Sequence, residues 1–170
     1  MPLSETDVTP TTRTETAYET FLQYLEHCRK RMTKPRLKVA RCLIEQRGLF
    51  DESGARAEAE RRGMPVGPRS IATTLDLLVD SGVMVRVGQG FNEAPFYLSL
   101  ANYRPDELIL VCLDCLELRP VQADDKLRRV GQDHGYRVRW TTNVCKGVCH
   151  TCRDKRLSAA ESLGKGGDGL

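Results

Sequence analysis

Two pairs of cysteines, Cys112-x-x-Cys115 and Cys149-x-x-Cys152, lie 33 residues apart and constrain this chain more than any other feature. A C-x-x-C turn offers two thiolates to one ion, and zinc takes four in a tetrahedron, so two such turns make a closed site. A site of that kind has no open position for a substrate and is structural, not catalytic. The separation exceeds the roughly 15–20 residues of a simple zinc ribbon, so the chain between the pairs has to fold back and bring them together. Two local disulfides, a redox-active dithiol or two unrelated pairs of ordinary thiols are the alternatives. An odd total of seven cysteines, with no secretory signal at the N-terminus, weighs toward reduced thiols and metal.

With 170 residues, 40% apolar and 29% charged, the chain can bury one or two small cores. No apolar run reaches membrane-spanning length and MPLSETDVTPTTRTET has no signal-peptide core, so the expectation is a cytoplasmic protein without a membrane partner. Net charge is only +3, but residues 29–41 (RKRMTKPRLKVAR) hold seven basic residues and no acid. Concentrated positive charge of that kind points to nucleic acid.

Periodicity divides the rest. Residues 1–16 have little to bury and are expected to be disordered. Phe21, Leu25 and Cys28 recur at helical spacing over 17–29, and PRLKVARCLIEQRG predicts a second helix with Pro35 near its start and Gly48 at its end. SGARAEAERRG predicts a third helix capped by Ser53, and Pro68 to Ser81 a fourth, stopped by Gly82. Val83, Val85 and Val87 then alternate up to a GQG turn, followed by a second extended run ending at Leu98. Helices followed by a hairpin are the order of a winged helix-turn-helix. LANYRP reads as a hinge, ELILVC and LELRPV as paired strands, DDKLRRVGQDHG as a helix and YRVRWTTNV as a third strand.

The expected fold is therefore α+β. A winged-helix DNA-binding domain spans 17–99, a hinge 100–105, a small zinc-containing α+β domain 106–157, and a flexible tail 158–170. On the first domain Lys34, Arg36 and Arg86 are candidate phosphate contacts, and Arg69, Ser70 and Thr73 lie on one face of the fourth helix, where they can meet DNA. Asp76 and Asp80 share that helix and would repel phosphates unless they face cytosine amino groups or solvent. Cys28 and Cys42 read as small apolar residues, and Cys145, four residues before Cys149, as either bland or redox-active. His150 reads as an exposed loop residue. No nucleophile stands beside a partnered base, so no enzyme is expected.

In this order, RMTKPRLKVARCL, SIATTLDLLVDSGV, LVCLDC and GVCHTC resemble the ferric uptake regulator family of bacterial metal-responsive repressors over roughly residues 20–153. The resemblance implies a winged-helix domain, a dimerisation domain, a homodimer on a pseudo-palindromic operator, and one structural Zn2+ per chain on Cys112, Cys115, Cys149 and Cys152. It also matches Arg31 to a basic residue that reaches into a minor groove, where a narrow A·T tract attracts arginine.

The departures bear on mechanism. The family's sensing ligands fall here on Glu107, Ile109, Leu49, Gly90, Pro120 and Thr141, a set that gives no good transition-metal site. A regulatory metal site is expected to be missing, the remaining possibility being Asp106, Glu107 and His134 around a hard cation. Ala72 and Thr73 stand where the family has a Tyr-Arg pair, so the target sequence is expected to differ. The functional expectation is a Fur-like repressor without a metal sensor. A thiol-based redox regulator, in which oxidation of the zinc thiolates or Cys145 releases zinc and DNA, and a zinc-stabilised protein-interaction module are the alternatives.

Overall fold

The computed structural model describes residues 10–88, 94–104, 106–122, 129, 133–134 and 144–164. Helix α1 spans Pro10–His27 and buries Ala17, Phe21 and Leu25, one residue per turn. It begins seven residues earlier than expected, so the predicted disorder of 1–16 is corrected for residues 10–16. The Glu15 carboxylate pairs with Arg41 on the next helix, and the Arg41 guanidinium lies 5.0 Å over the Tyr18 ring. Those contacts give a polar segment a reason to stay ordered. Arg29 adopts a positive φ of 51° after the helix, while Lys30 N–H donates to the Leu25 carbonyl at 2.8 Å, which closes the last turn.

Helix α2 (Lys34–Glu45) starts behind Thr33, whose hydroxyl accepts from Arg36 N–H at 3.4 Å, and buries Val39, Ala40, Cys42, Leu43 and Ile44. A two-residue strand β1 (Leu49–Phe50) follows, too short to show a period. Helix α3 (Glu52–Arg61) is capped by Asp51 and not by Ser53: the Asp51 carboxylate accepts from Gly54 N–H at 2.7 Å. A charged acceptor at the helix start outcompetes the serine two residues inside it. Helix α4 (Pro68–Asp80) buries Ile71, Thr74, Leu75, Leu77 and Leu78, and Gly82 at φ 77° turns the chain out of it. Strands β2 (Met84–Val87) and β3 (Phe96–Ser99) pair antiparallel with Val87 opposite Phe96, and β1 joins the free side of β3. The GQG turn between β2 and β3 falls largely outside the described residues.

The expected hinge is tied down over its first half. Leu100–Asn102 form a 3-10 turn, Ala101 is buried, and Asn102 Nδ2 donates to the carbonyls of Ile44 and Gln46 at 3.4 and 2.8 Å. Buried Ser99 donates to the Ile44 carbonyl as well, at 2.6 Å. The last carbonyls of α2, orphaned by the helix end, are satisfied from this segment, and that is why it is not a linker.

Strands β4 (Glu107–Cys112) and β5 (Leu118–Gln122) pair antiparallel, and β6 (Val144–Gly147) runs parallel to the other side of β4. The expected helix at 124–135 and most of the expected third strand lie outside the described residues. Helix α5 (His150–Gly164) follows. It carries the chain regularly through Gly164, so the tail predicted from 158 is corrected there: LSAAESL is built of good helix formers, and the glycines come after.

Two apolar clusters result. One fills the space between α1, α2, α3, α4 and the first sheet. In the other, Val87 and Leu98 from the first sheet meet Ile109 and Val111 from the second, with Tyr103, Leu113, Leu118 and Val144 around them. The wing thus rests directly on the sheet that carries the cysteines.

Glu58 of α3 binds Arg61 and Arg62, and Arg62 also reaches Glu45 of α2 at 2.5 Å. Hydrogen bonds from Arg61 and then Arg62 hold the Glu58 carboxyl down at about 2, from an ordinary 4.5. A carboxylate depressed on folding stabilises the fold above its ordinary pKa and loses that contribution as pH falls through the folded value. Glu58→Gln is therefore expected to lower the denaturant midpoint at neutral pH, with the gap to the wild-type chain closing as pH falls from 4.5 toward 2.

Candidate metal centre

Cys112 is the last residue of β4 and Cys115 sits in the turn that follows. Leu116 N–H donates to the Cys112 carbonyl and Cys112 N–H to the Glu117 carbonyl, both at 3.0 Å, with Leu116 at φ 59°. That tight loop aims both sulfurs the same way. The second pair is supplied by the end of β6 and the start of α5: Cys149 immediately precedes the helix and Cys152 lies in its first turn. Leu113 N–H donates to the Gly147 carbonyl at 2.8 Å, lashing the two loops together.

The four Sγ atoms all lie within 4.8 Å of one another, with Cys115 and Cys149 3.8 Å apart. Four sulfurs about 2.3 Å from a central zinc in a tetrahedron stand about 3.8 Å from each other, so the cluster fits that ion with little adjustment. All seven cysteines are free thiols here, including these four. Cys149 N–H donates to the Cys112 sulfur at 3.3 Å.

Backbone N–H donation from Cys115 and Cys149 draws the Cys112 thiol down to about 6, while hydrogen bonding to Cys149 and burial push Cys152 up to about 12. The cause is crowding: thiols this close cannot all become anions, so an early ionisation at one raises the cost at another. The positive end of the α5 dipole favours negative charge here but does not reverse that order. A divalent cation removes the conflict, and thiolates suit zinc.

Cys145 lies outside this group, exposed on β6 opposite Leu110. Cys42 is buried in α2 and Cys28 is half-buried. His150 is exposed and opens α5 instead of sitting in a loop, its Nδ1 3.2 Å from Asp154. Among the positions matched to sensing ligands, Ile109 is buried in the cluster between the sheets and Leu49 packs beside it. Glu107 accepts from Arg104 N–H at 2.7 Å, and Asp106 takes Arg104 and Gln122 at 3.1 and 2.7 Å. His134 is exposed, and among the described residues the four cysteines form the one group close enough to hold an ion.

The nucleic-acid candidates occupy the other unit. Arg31 and Lys34 are exposed, and Arg36 is half-buried with its guanidinium donating to the Arg31 carbonyl. Arg69, Ser70 and Thr73 are exposed on α4, with the Thr73 hydroxyl donating to the Arg69 carbonyl at 2.8 Å. Arg86 is exposed but engaged: its guanidinium binds Asp76 at 2.6 Å and lies 5.7 Å over the Tyr97 ring. No periodicity links residues 76, 86 and 97, and this constellation was invisible before the hairpin was folded onto α4.

Comparison with protein-family models returns no match, and no curated protein matches the sequence. Solved structures do. A Pseudomonas aeruginosa ferric uptake regulator, solved with manganese, matches with a TM-score of 0.54 at 17% identity, covering 76% of this chain and 97% of the other. The Helicobacter pylori ferric uptake regulator, described as having three functional metal-binding sites, matches with a TM-score of 0.54 at 15% identity, over 82% and 93% of the two chains. The chain has the fold of the ferric uptake regulators. A group of four cysteines able to hold a metal sits in the C-terminal half of that fold.

Zinc uptake at neutral pH is expected to release protons, fewer than four per ion because backbone N–H donation holds Cys112 below an ordinary thiol, and affinity is expected to fall as the pH is lowered. Calorimetry in buffers of different ionisation enthalpy measures the proton count directly.

Proposed function

We propose that this chain is a DNA-binding transcriptional regulator of the ferric uptake regulator family, acting as a homodimeric repressor on a pseudo-palindromic operator. Residues 17–99 form its DNA-binding domain and 106–157 its dimerisation domain. Cys112, Cys115, Cys149 and Cys152 hold one structural zinc per chain, and DNA binding is not set by a regulatory metal. The observation that carries this reading is the four-sulfur group placed beneath a winged-helix unit whose basic entrance is exposed. Arg31, Lys34 and Arg36 supply phosphate and minor-groove contacts, Arg69, Ser70 and Thr73 the groove-facing edge of α4, and Arg86 a wing contact.

The missing sensor is supported by what fills its place. Ile109 belongs to the apolar contact between the sheets, and Glu107 and Asp106 are already hydrogen-bonded to Arg104. A ligand at Ile109 would have to displace core packing. Exposure of Cys115 favours a second reading, in which oxidation of the thiolates releases zinc and DNA.

Metal analysis of the purified protein is expected to find one zinc per chain, unchanged by added iron or manganese, with operator affinity equally unchanged. Chelation that removes this zinc is expected to abolish dimer and DNA binding together. A second stoichiometric metal that alters affinity contradicts the missing sensor. Loss of zinc and DNA binding on mild peroxide treatment selects the redox reading.

A further inference from the structure

Arg86, the proposed wing contact, is paired with Asp76 of α4, a carboxylate on the helix proposed to face the groove. A carboxylate on the groove-facing edge of a recognition helix repels every phosphate it nears, so non-cognate DNA gains nothing from it. Arg69, Thr73 and Asp76 are spaced i, i+4, i+7 and are all exposed, which puts them along one edge of α4. Asp80, one turn further, is turned toward the Tyr24 phenol, whose pKa is raised by burial, by Cys28 and by Asp80 itself.

Asp76 is held from below. Arg86 reaches it from β2, the Tyr97 ring supports the guanidinium, and the Arg86 carbonyl accepts from Lys146 Nζ on β6 at 3.1 Å. The pair is solvent-exposed, with the two side chains 49% and 58% accessible, so as a stabilising contact it contributes little. What it does is orient a carboxylate and screen its charge. In the major groove the amino group of cytosine is the donor that a lone carboxylate accepts from, whereas guanine offers acceptors only.

We infer that Asp76 is a specificity-determining residue that accepts a hydrogen bond from a cytosine amino group in the major groove, with Arg86 as the positioning residue that aims it. This rests on the DNA-binding reading above. The wild-type operator then carries a C·G pair at one fixed position in each half-site, beneath the middle of α4. Arg86, held by Asp76, keeps spare N–H donors for the neighbouring phosphate.

The test is selection from a randomised duplex pool by the full-length, zinc-loaded chain, comparing wild type with Asp76→Asn, Asp76→Ala and Arg86→Lys. Wild type is expected to enrich cytosine at one position per half-site. Asp76→Asn is expected to lose about tenfold of that preference and gain adenine, which an amide reads, while the other positions keep their bases. Asp76→Ala loses the preference without gaining another, its affinity for unrelated DNA rises, and Arg86→Lys retains part of the cytosine preference. Unchanged zinc content and circular dichroism exclude misfolding as the cause. A motif identical in wild type and both Asp76 variants overturns this inference alone. No enrichment by the zinc-loaded wild-type chain overturns the DNA-binding reading, and the inference falls with it.

Discussion

The C-terminal half of this fold depends on four sulfur atoms that repel one another as they ionise. Within 4.8 Å, one thiol is drawn down to about 6 and another pushed up to about 12. A small cluster of that kind gains little from being assembled without a cation, and a divalent ion turns mutual repulsion into four attractive contacts. Its two loops are the ends of β4 and β6 and the start of α5, so the ion, when bound, pins the sheet and the helix at one point.

That point is joined mechanically to the other unit. Ile109 and Val111, on the strand that ends in Cys112, pack against Val87 and Leu98 of the wing. Lys146, three residues before Cys149, bonds to the backbone of Arg86. The wing is therefore braced by the strands that carry the cysteines, with apolar burial as the main term and one charged hydrogen bond beside it. An isoleucine in this layer cannot also be a metal ligand. Position 109 serves the contact between the units, and a sensing histidine there would leave a polar ring in an apolar seam.

Much of this was legible in the sequence, for physical reasons. Helices α2 and α4 announce themselves by apolar period, by proline at the start and by glycine after the end of α4, and the valine alternation of β2 is equally plain. The spacing of the cysteine pairs carried the cluster, because a ligand set needs only the right residues and enough chain between them. What stayed hidden depends on contacts distant in sequence. The order of residues 10–16 comes from Glu15 meeting Arg41, and the firmness of 100–102 from Asn102 meeting the end of α2. Ser53 has the chemistry of a cap, but the Asp51 carboxylate takes the Gly54 N–H. The pairing of Asp76 with Arg86 follows from the hairpin folding back on α4, which no local pattern encodes.

Cys112, Cys115, Cys149 and Cys152 form a group able to hold a metal, and we propose that it holds one zinc ion within a single chain. X-ray absorption at the zinc edge of the purified protein tests it most directly. A single shell of four sulfurs at about 2.3 Å with no nitrogen or oxygen scatterer is expected. A mixed shell containing a nitrogen or oxygen ligand would contradict it.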